Sequence, residues 1–319
     1  MEENYLLAKS IVDEKFNKDN EYYYMFICAL FGFFMKYPDH KELIINSFKD
    51  TNIIIEDISV LDIQKKYDLN LIKDDELAVQ DPNACVNHGA SDIGIGYFIQ
   101  DKELQMIQDN PTIICSGKDN SPANLINIFV HELNHIIKSF YNSHGSKVSD
   151  GISSCYNRCG LTYTIFTYDK YTDILKEEEF YSILDEVINV FQTTEILSYI
   201  LMLDGVVPDE GLQKYIDSLD KDELKQNKGY DKTIKLFKRI WDNKLLRDIL
   251  EKHLIDGNLS EISSDFDEAV GMECFDELAD LLDDLDYLFC LNNNKSDIAL
   301  CYNMLDNLIK RITSYKIKK

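Results

Sequence analysis

Apolar residues recur at helical spacing in the first fifty residues and again after Pro208, whereas the middle of the chain carries shorter β-branched runs. Spacings of three and four predict amphipathic helices, and short β-branched runs predict strands. We therefore expect helices in residues 1–50 and a strand at Ile53–Ile55. Residues 58–63 continue in an extended or mixed pattern, so the sheet is expected to begin in this part of the chain.

Polar turns separate the predicted strands in the middle of the chain. Residues 69–90 carry turn residues such as Asn87-His88-Gly89, and residues 142–157 are rich in Ser, Gly and Asn. Both segments are predicted to be irregular. Three further strands are predicted, at Gly94–Ile99, Pro111–Cys115 and Leu161–Tyr168.

Long helices complete the pattern. One begins at Ser121-Pro122, where a capping residue precedes a first-turn proline. A second is predicted over Glu177–Leu203. After Pro208, amphipathic helices joined by polar turns are predicted at Thr233–Trp241, Leu245–Leu254, Phe275–Phe289 and Ile298–Ile312. The class expected is α+β, with residues 1–205 as one domain and residues 206–319 as a mostly α-helical C-terminal lobe.

Composition narrows the range of partners and compartments. The 319-residue chain has a formal net charge of -24, which repels phosphate backbones and anionic lipid, so nucleic acid and membrane surfaces are not expected as partners. Its eight cysteines form no CxxC pair and are expected to be reduced core residues. The acidic N-terminus does not resemble a secretory signal, and the apolar run 25–35 is too short to span a bilayer. A cytoplasmic protein is therefore expected.

One motif carries chemistry. His131 and His135 are the only histidine pair among six that is set four residues apart, and Glu132 lies between them. On a helix this spacing puts both imidazoles on one face, where they can bind one zinc ion. Glu132 is about 100° round the helix from His131, where it can act as a base toward water. Since a buried apolar helix does not normally carry two unpaired imidazoles, the pattern predicts a metal site.

A catalytic zinc takes three protein ligands, so a third must come from elsewhere in the chain. Lys138 and Tyr141 stand where the elongated motif H-E-x-x-H-x-x-G-x-x-H requires Gly and His, which favours a carboxylate. Two glutamates on the second predicted helix compete. The helical periodicity places Glu186 at the edge of the apolar face of this helix and Glu195 close to that face. Both glutamates therefore stay candidates for the third ligand, and Glu195 is mildly favoured.

The HExxH motif and the run Leu184–Phe191 resemble the gluzincin, thermolysin-like branch of zinc metallopeptidases, over about residues 94–203. That family carries its third ligand in a run of the form Asn-Glu-x-x-Ser-Asp. The resemblance implies a zincin-like catalytic domain with a small mixed sheet and a Zn²⁺ ion bound by His131, His135 and Glu186. It also implies hydrolysis of a peptide or protein substrate, with Glu132 as general base. Gly94–Ile99 would be the edge strand that pairs with an extended peptide.

Departures from the family pattern affect the residues around the ligands. Asp185 replaces the usual Asn, and Val190 replaces an Asp that supports the first histidine, so Asn189 becomes the candidate for that role. Glu195 is a second candidate for a supporting residue. The side chain that stabilises the oxyanion stays open among four candidates, namely Tyr163, Tyr168, Tyr171 and His144.

Two other functions compete with a peptidase. A zincin scaffold without activity could bind a partner, and the missing supporting Asp favours this hypothesis. The intact Glu132 argues against it, because a structural metal site needs no base. A helical interaction protein with an accidental motif is the other alternative. Substrate identity and oligomeric state do not follow from the sequence.

Overall fold

The computed structural model describes residues 1–69, 71, 88–141, 146–225, 231–252, 259–290 and 295–314. Cys85 and His144 lie outside these residues. Within them the α+β class is confirmed. The helices, in chain order, are α1 (Glu2–Lys15), α2 (Tyr23–Lys36), α3 (Lys41–Asp50), α4 (Val60–Lys66), α5 (Pro122–Ile137), α6 (Ser182–Ile200), α7 (Glu210–Ser218), α8 (Asp231–Trp241), α9 (Lys244–Lys252), α10 (Leu259–Val270), α11 (Phe275–Cys290) and α12 (Lys295–Ser314).

The strands occupy the middle of the chain. They are β1 (Asn52–Glu56), β2 (Gly89–Asp92), β3 (Ile95–Gln100), β4 (Glu103–Gln108), β5 (Thr112–Ser116), β6 (Ser139–Tyr141), β7 (Ser146–Ser149), β8 (Ile152–Cys159), β9 (Thr162–Asp169) and β10 (Ile174–Phe180).

A small mixed sheet supports α5. Its order is β1-β5-β2, with β1 parallel and β2 antiparallel to the central β5. Alternate residues of β5 point to opposite faces. Ile113 and Cys115 belong to the core cluster that contains α5 and α2, whereas Ile114 packs with Val60 and Ile63 of α4. The sheet is therefore covered by α5 on one face and by α4 on the other.

A second, antiparallel sheet has the order β10-β9-β8-β6, and β7 also pairs with β8. The β3–β4 hairpin covers part of it, since Leu104 and Met106 pack against Cys155 and Phe166. This sheet leads into α6 at Tyr181, which has a left-handed backbone conformation with a φ of 65°. The second sheet thus connects α5 with α6.

Helix α6 contributes to both large apolar clusters. Ile196 and Leu197 pack with α2 and α5, whereas Val187 and Phe191 pack with the C-terminal helices. The division of the chain at residue 205 stays a prediction, and the two clusters share this one helix. The zincin-like arrangement also stays a prediction.

Two predicted elements are wrong in part. Residues 58–63 were expected to be extended or mixed, but α4 begins at Val60 because Ser59 accepts a hydrogen bond from the Asp62 N–H and caps it. The predicted helix Glu177–Leu203 begins only at Ser182. Residues 174–180 instead pair with β9, where the cross-strand ladder overrides the helix propensity of the three glutamates. Their charges lie at the exposed edge of the sheet.

The predicted irregular segments also contain strands. Most of residues 69–90 lies outside the described residues, but Gly89 and Ala90 begin β2. Within residues 142–157, β7 and the first part of β8 are paired strands. The predicted strand Gly94–Ile99 is present as β3, but it pairs with β4 in a separate hairpin. The edge strand of the mixed sheet beside α5 is β2.

Other sequence predictions are confirmed where they can be seen. Six cysteines whose side chains are described are free, and all but the half-buried Cys159 are buried: Cys28, Cys115, Cys155, Cys159, Cys274 and Cys301. Among the described helices, none combines the length and the apolar character that crossing a bilayer demands.

Candidate metal centre

The two histidines of the motif lie near the C-terminal end of α5. The Ser121 hydroxyl accepts a hydrogen bond from the Asn124 N–H and so caps the helix, and Pro122 occupies its first turn, as predicted. His131 and His135 are one turn apart, and their ring centroids are 4.9 Å from each other at a steep angle. The two rings face the first half of α6.

Three potential ligand residues, His131, His135 and Glu186, converge between α5 and α6. His131 Nε2 is 3.2 Å from His135 Nε2 and 3.2 Å from Glu186 Oε2. His135 Nε2 is 3.0 Å from Glu186 Oε1. His131 is buried, while the other two are half-buried, so the site is enclosed but open to solvent on one side.

This donor set fits zinc. In a tetrahedral site with zinc–ligand bonds of about 2.0–2.1 Å, neighbouring ligand atoms lie roughly 3.3 Å apart. The observed separations of 3.0–3.2 Å are close to that value. Two histidines and one glutamate also match a ligand set that catalytic zinc uses, in which a fourth position stays open. Asn189 Nδ2 lies 2.9 Å from His135 Nε2. Metal binding would break this contact, because the metal would need the same nitrogen as a ligand.

The charges in this group stabilise one another. Burial alone would lower the pKa of His135, but Glu186, followed by Cys159 and Asp185, holds that pKa well above its usual range. Burial would raise the pKa of Glu186, but His135 and His131 hold it well below its usual range. A dication that bound here would replace the proton on His135 as the partner of the Glu186 carboxylate.

Asp185 supports the ring of His135 from the side opposite Glu186. Its Oδ2 is 3.5 Å from His135 Nδ1, a long contact that is closer to an ion pair than to a short hydrogen bond. Cys159 Sγ lies 3.4 Å from the same nitrogen and 3.2 Å from the His135 carbonyl oxygen, to which the thiol donates. A carboxylate behind a ligating histidine fixes the ring orientation and increases its basicity.

Asp185 is itself held firmly although it is fully buried. Its Oδ1 accepts a hydrogen bond from the Leu161 N–H at 2.8 Å and lies 3.4 Å from Lys138 Nζ, which is also fully buried. Burial would raise the pKa of Asp185, but Lys138 and then His135 keep it below the ordinary value. Gly160 leaves room for the carboxylate, since a Cβ there would lie 2.0 Å from Oδ1, and its φ of +59° is one that glycine tolerates.

Amide side chains fill the space behind the histidines. Asn189 Nδ2 donates to the His131 carbonyl oxygen at 3.1 Å, and Asn134 Nδ2 donates to Asn189 Oδ1 and to Gln192 Oε1. All three amides are buried. Because buried amides without partners are costly, this network fixes the spacing of α5 and α6 in addition to their apolar contacts.

The predicted base, Glu132, points from α5 toward the edge strand β2. It is buried, and its Oε2 accepts a hydrogen bond of 2.7 Å from the Ser91 hydroxyl. Gly89 allows this approach, because a Cβ there would lie 2.3 Å from Ile128 Cγ2 and 3.5 Å from Glu132 Cγ. Burial and then the Glu132 charge raise the pKa of the nearby Cys115 thiol well above its usual range.

Two other predicted site residues, Asn189 and Glu195, differ in their distance from the histidines. Asn189 lies against both histidines, although it contacts the His131 carbonyl oxygen and not the His131 ring. Glu195 is two turns farther along α6, where it pairs with Lys36 and accepts a hydrogen bond from Trp241 Nε1. It therefore pairs with neither histidine, and it is linked to the amide network behind them only indirectly, through Lys36, Glu251 and Gln192.

The tyrosine candidates have partners elsewhere. The Tyr163 ring packs at a tilt against that of Tyr156, with ring centroids 5.3 Å apart. The Tyr168 hydroxyl donates to Asp173, and Tyr171 is 70% exposed and donates to Asp150. No contact between these tyrosines and the three converging ligands occurs in the part of the chain that is described. His144 lies outside it.

Sequence reasoning missed several residues that surround the site. In the sequence, Asp185 is only a departure from the family pattern, and Lys138 only a residue that breaks an elongated motif. Ser91 and Cys159 carry no signal, because single serines and cysteines in strands have no periodicity. The adjacent acidic pair Asp185-Glu186 is the one sequence feature that could have indicated a ligand and its supporting residue.

The chain was compared with protein-family models, with curated proteins and with solved structures. None of them matches it.

Proposed function

We propose that this protein is a zinc-dependent peptidase that binds the metal through His131, His135 and Glu186. The observation that carries the proposal is the convergence of three donor side chains, whose nearest nitrogen and oxygen atoms lie 3.0–3.2 Å apart, with Glu132 directly after His131 in the sequence of α5. The donor set leaves one zinc position for water or substrate. The resemblance to gluzincins, which is limited to the motif residues, also supports the proposal.

Each residue has a defined task in this proposal. His131, His135 and Glu186 hold the metal, and Asp185 keeps the His135 ring oriented from behind. When bound, zinc would lower the pKa of a water molecule toward neutrality and polarise a carbonyl group. Glu132 would take the proton from the attacking water and deliver it to the leaving amine.

An edge strand beside the base favours a peptide as the substrate. β2 pairs only with β5 among the described strands, so its outer edge offers backbone N–H and C=O groups to an extended chain. Ser91 of this strand contacts Glu132, so a peptide paired along β2 would pass close to the base. This role belongs to β2 in the proposal, in place of Gly94–Ile99.

A test compares the zinc-loaded protein with Glu132→Gln on a library of peptides. The variant should keep one zinc per chain, because Glu132 is not a ligand. It should lose about 10²- to 10⁴-fold in hydrolysis, because the amide cannot accept the proton. Cleavage is measured by mass spectrometry, and zinc content by atomic absorption after dialysis.

The matched control is Glu195→Gln, which makes the same chemical change on a glutamate that pairs with Lys36. It should hydrolyse the same peptides at a rate close to that of the unmodified protein. Equal activity of Glu132→Gln and the unmodified protein would overturn the mechanism. Zinc binding without any hydrolysis by the unmodified protein would support the alternative of an inactive binding module.

A further inference from the structure

We propose that Ser91 is a positioning residue for Glu132, one that fixes the orientation of the base through its hydroxyl group. The inference rests on the proposed function, since it assigns a role toward the same base. It stands on contacts between β2 and α5 that involve no metal. None of the sequence patterns pointed to this serine.

The hydrogen bond itself is short and directed. The Ser91 hydroxyl donates to Glu132 Oε2 at 2.7 Å, and no other hydrogen bond to the Glu132 carboxylate is found within the described residues. Glu132 is only 6% exposed, so solvent does little to fix its side chain. With Oε2 occupied by Ser91, the second oxygen, Oε1, is the one left to accept a proton from water.

The register of β2 determines that Ser91 faces the base. Ser91 pairs with Ile113 and Gly89 pairs with Cys115, and both of these β5 residues face α5. Ala90 pairs with Ile114 and packs on the opposite face, with α4. A shift of one residue would turn Ser91 away from Glu132, because strand side chains alternate between faces.

Gly89 enforces this register. Any side chain at this position would overlap Ile128, since a Cβ would lie 2.3 Å from Ile128 Cγ2. The glycine thus lets β2 lie close enough to α5 for the short serine side chain to reach the carboxylate. A residue that merely filled space at position 91 would need no hydroxyl group.

Positioning predicts a specific pattern of kinetic loss. Without the Ser91 hydroxyl, the Glu132 carboxylate can rotate, and a misplaced base reduces the rate of the chemical step about 10- to 100-fold. Zinc affinity should not change, because none of the contacts described for Ser91 involves His131, His135 or Glu186. Substrate affinity should not change either, because a peptide would pair with the backbone of β2, which a change of the Ser91 side chain keeps. The loss should therefore appear in kcat and leave KM unchanged.

The experiment compares zinc-loaded Ser91→Ala, Ser91→Thr and the double variant Ser91→Ala/Ala90→Ser. Ser91→Ala should lose about 10- to 100-fold in kcat. Ser91→Thr, which keeps a hydroxyl group on the same face, should recover most of the rate. The double variant has its hydroxyl group on the α4 face and should stay as slow as Ser91→Ala. Zinc affinity is measured for each by competition with a chelator, and crystal structures show the Glu132 orientation.

Two results would overturn the positioning role while leaving the proposed function intact. One is full kcat in Ser91→Ala, with Glu132 unmoved in its crystal structure. The other is a loss of zinc affinity that parallels the loss of rate, which would make Ser91 a general structural residue. If the unmodified zinc-loaded protein hydrolyses no peptide, the proposed function fails, and the positioning role fails with it.

Discussion

The interior where α5 crosses α6 differs in chemistry from the interior of the helices after Pro208. Around the crossing, charged and amide side chains are buried together, including His131, Glu132, Asn134, Lys138, Asp185, Asn189 and Gln192. In the described residues after Pro208, Thr233 is the one buried polar side chain. The C-terminal helices instead bury leucines, isoleucines and aromatic rings, and their described acidic residues are at most partly buried.

The two interiors differ in how much their buried side chains cost in stability. Burying a polar group costs free energy unless it is paired, and a buried ion pair is often no better for stability than apolar residues of the same size. The C-terminal helices avoid this cost, because the side chains that they bury are almost all apolar. The α5–α6 crossing departs from it around one group of potential ligands, which is typical of a functional site.

Among the variants that test this comparison, Asp185→Asn should have the largest effect on stability. The change leaves the buried Lys138 without a counter-charge and weakens the contact with His135. Breaking a buried ion pair in this way should lower the free energy of unfolding by about 3–5 kcal/mol. Zinc affinity of the folded protein should fall about 10- to 100-fold, as is usual when the partner of a ligating histidine is changed.

Urea denaturation measures the first quantity for Asp185→Asn, and chelator competition measures the second. Unchanged stability together with unchanged zinc affinity would mean that Asp185 has no supporting role. A loss of stability alone would limit that role to the fold.

A smaller effect of the opposite sign is expected from Asp283→Asn on α11. Burial, together with Glu179 and two neighbouring aspartates, raises the pKa of Asp283 to about 6. A raised carboxyl pKa adds stability that is fully present below about pH 4 and lost as the pH rises through 6. At pH 7.5 the ionised group is therefore unfavourable, so removing its charge should stabilise the protein by about 1 kcal/mol after allowance for its partial exposure.

The same Asp-to-Asn change should thus destabilise one region and stabilise the other. Thermal melting of Asp283→Asn at several pH values measures the effect, and the gain should shrink as the pH falls from 7 to 5. The substituted amide oxygen can still accept the hydrogen bond of the Ile183 N–H. A gain that is constant with pH would show that the charge of Asp283 is not its cause.

The sequence predicted those features that depend on local patterns. The cap at Ser121-Pro122, the β-branched runs and the amphipathic helices after Pro208 are determined by neighbours in the chain, and they are confirmed. The start of α6 was wrong because the strand Ile174–Phe180 is held by pairing with β9, which propensity does not include. Long-range pairing is also the reason that β7, β8 and β2 were not predicted.

The candidate site was predictable to a similar extent. The spacing of His131, Glu132 and His135 follows from helix geometry, so it could be read directly. Periodicity could not decide between Glu186 and Glu195, because it gives the face of a helix but not the element packed against it. Lys138 and Asp185 come together only through the path of the second sheet, which lies between them in the chain.

The most direct test of the zinc site is a competition titration of zinc binding in Glu186→Ala and Glu195→Ala, with His135→Ala as reference. Circular dichroism confirms that each variant is folded. Glu186→Ala should lose zinc affinity at least as severely as His135→Ala, because each removes one of three ligands. Glu195→Ala should weaken binding at most about 10-fold, since Glu195 pairs with Lys36 and not with the histidines. The reverse order would contradict the assignment of Glu186 as the third ligand.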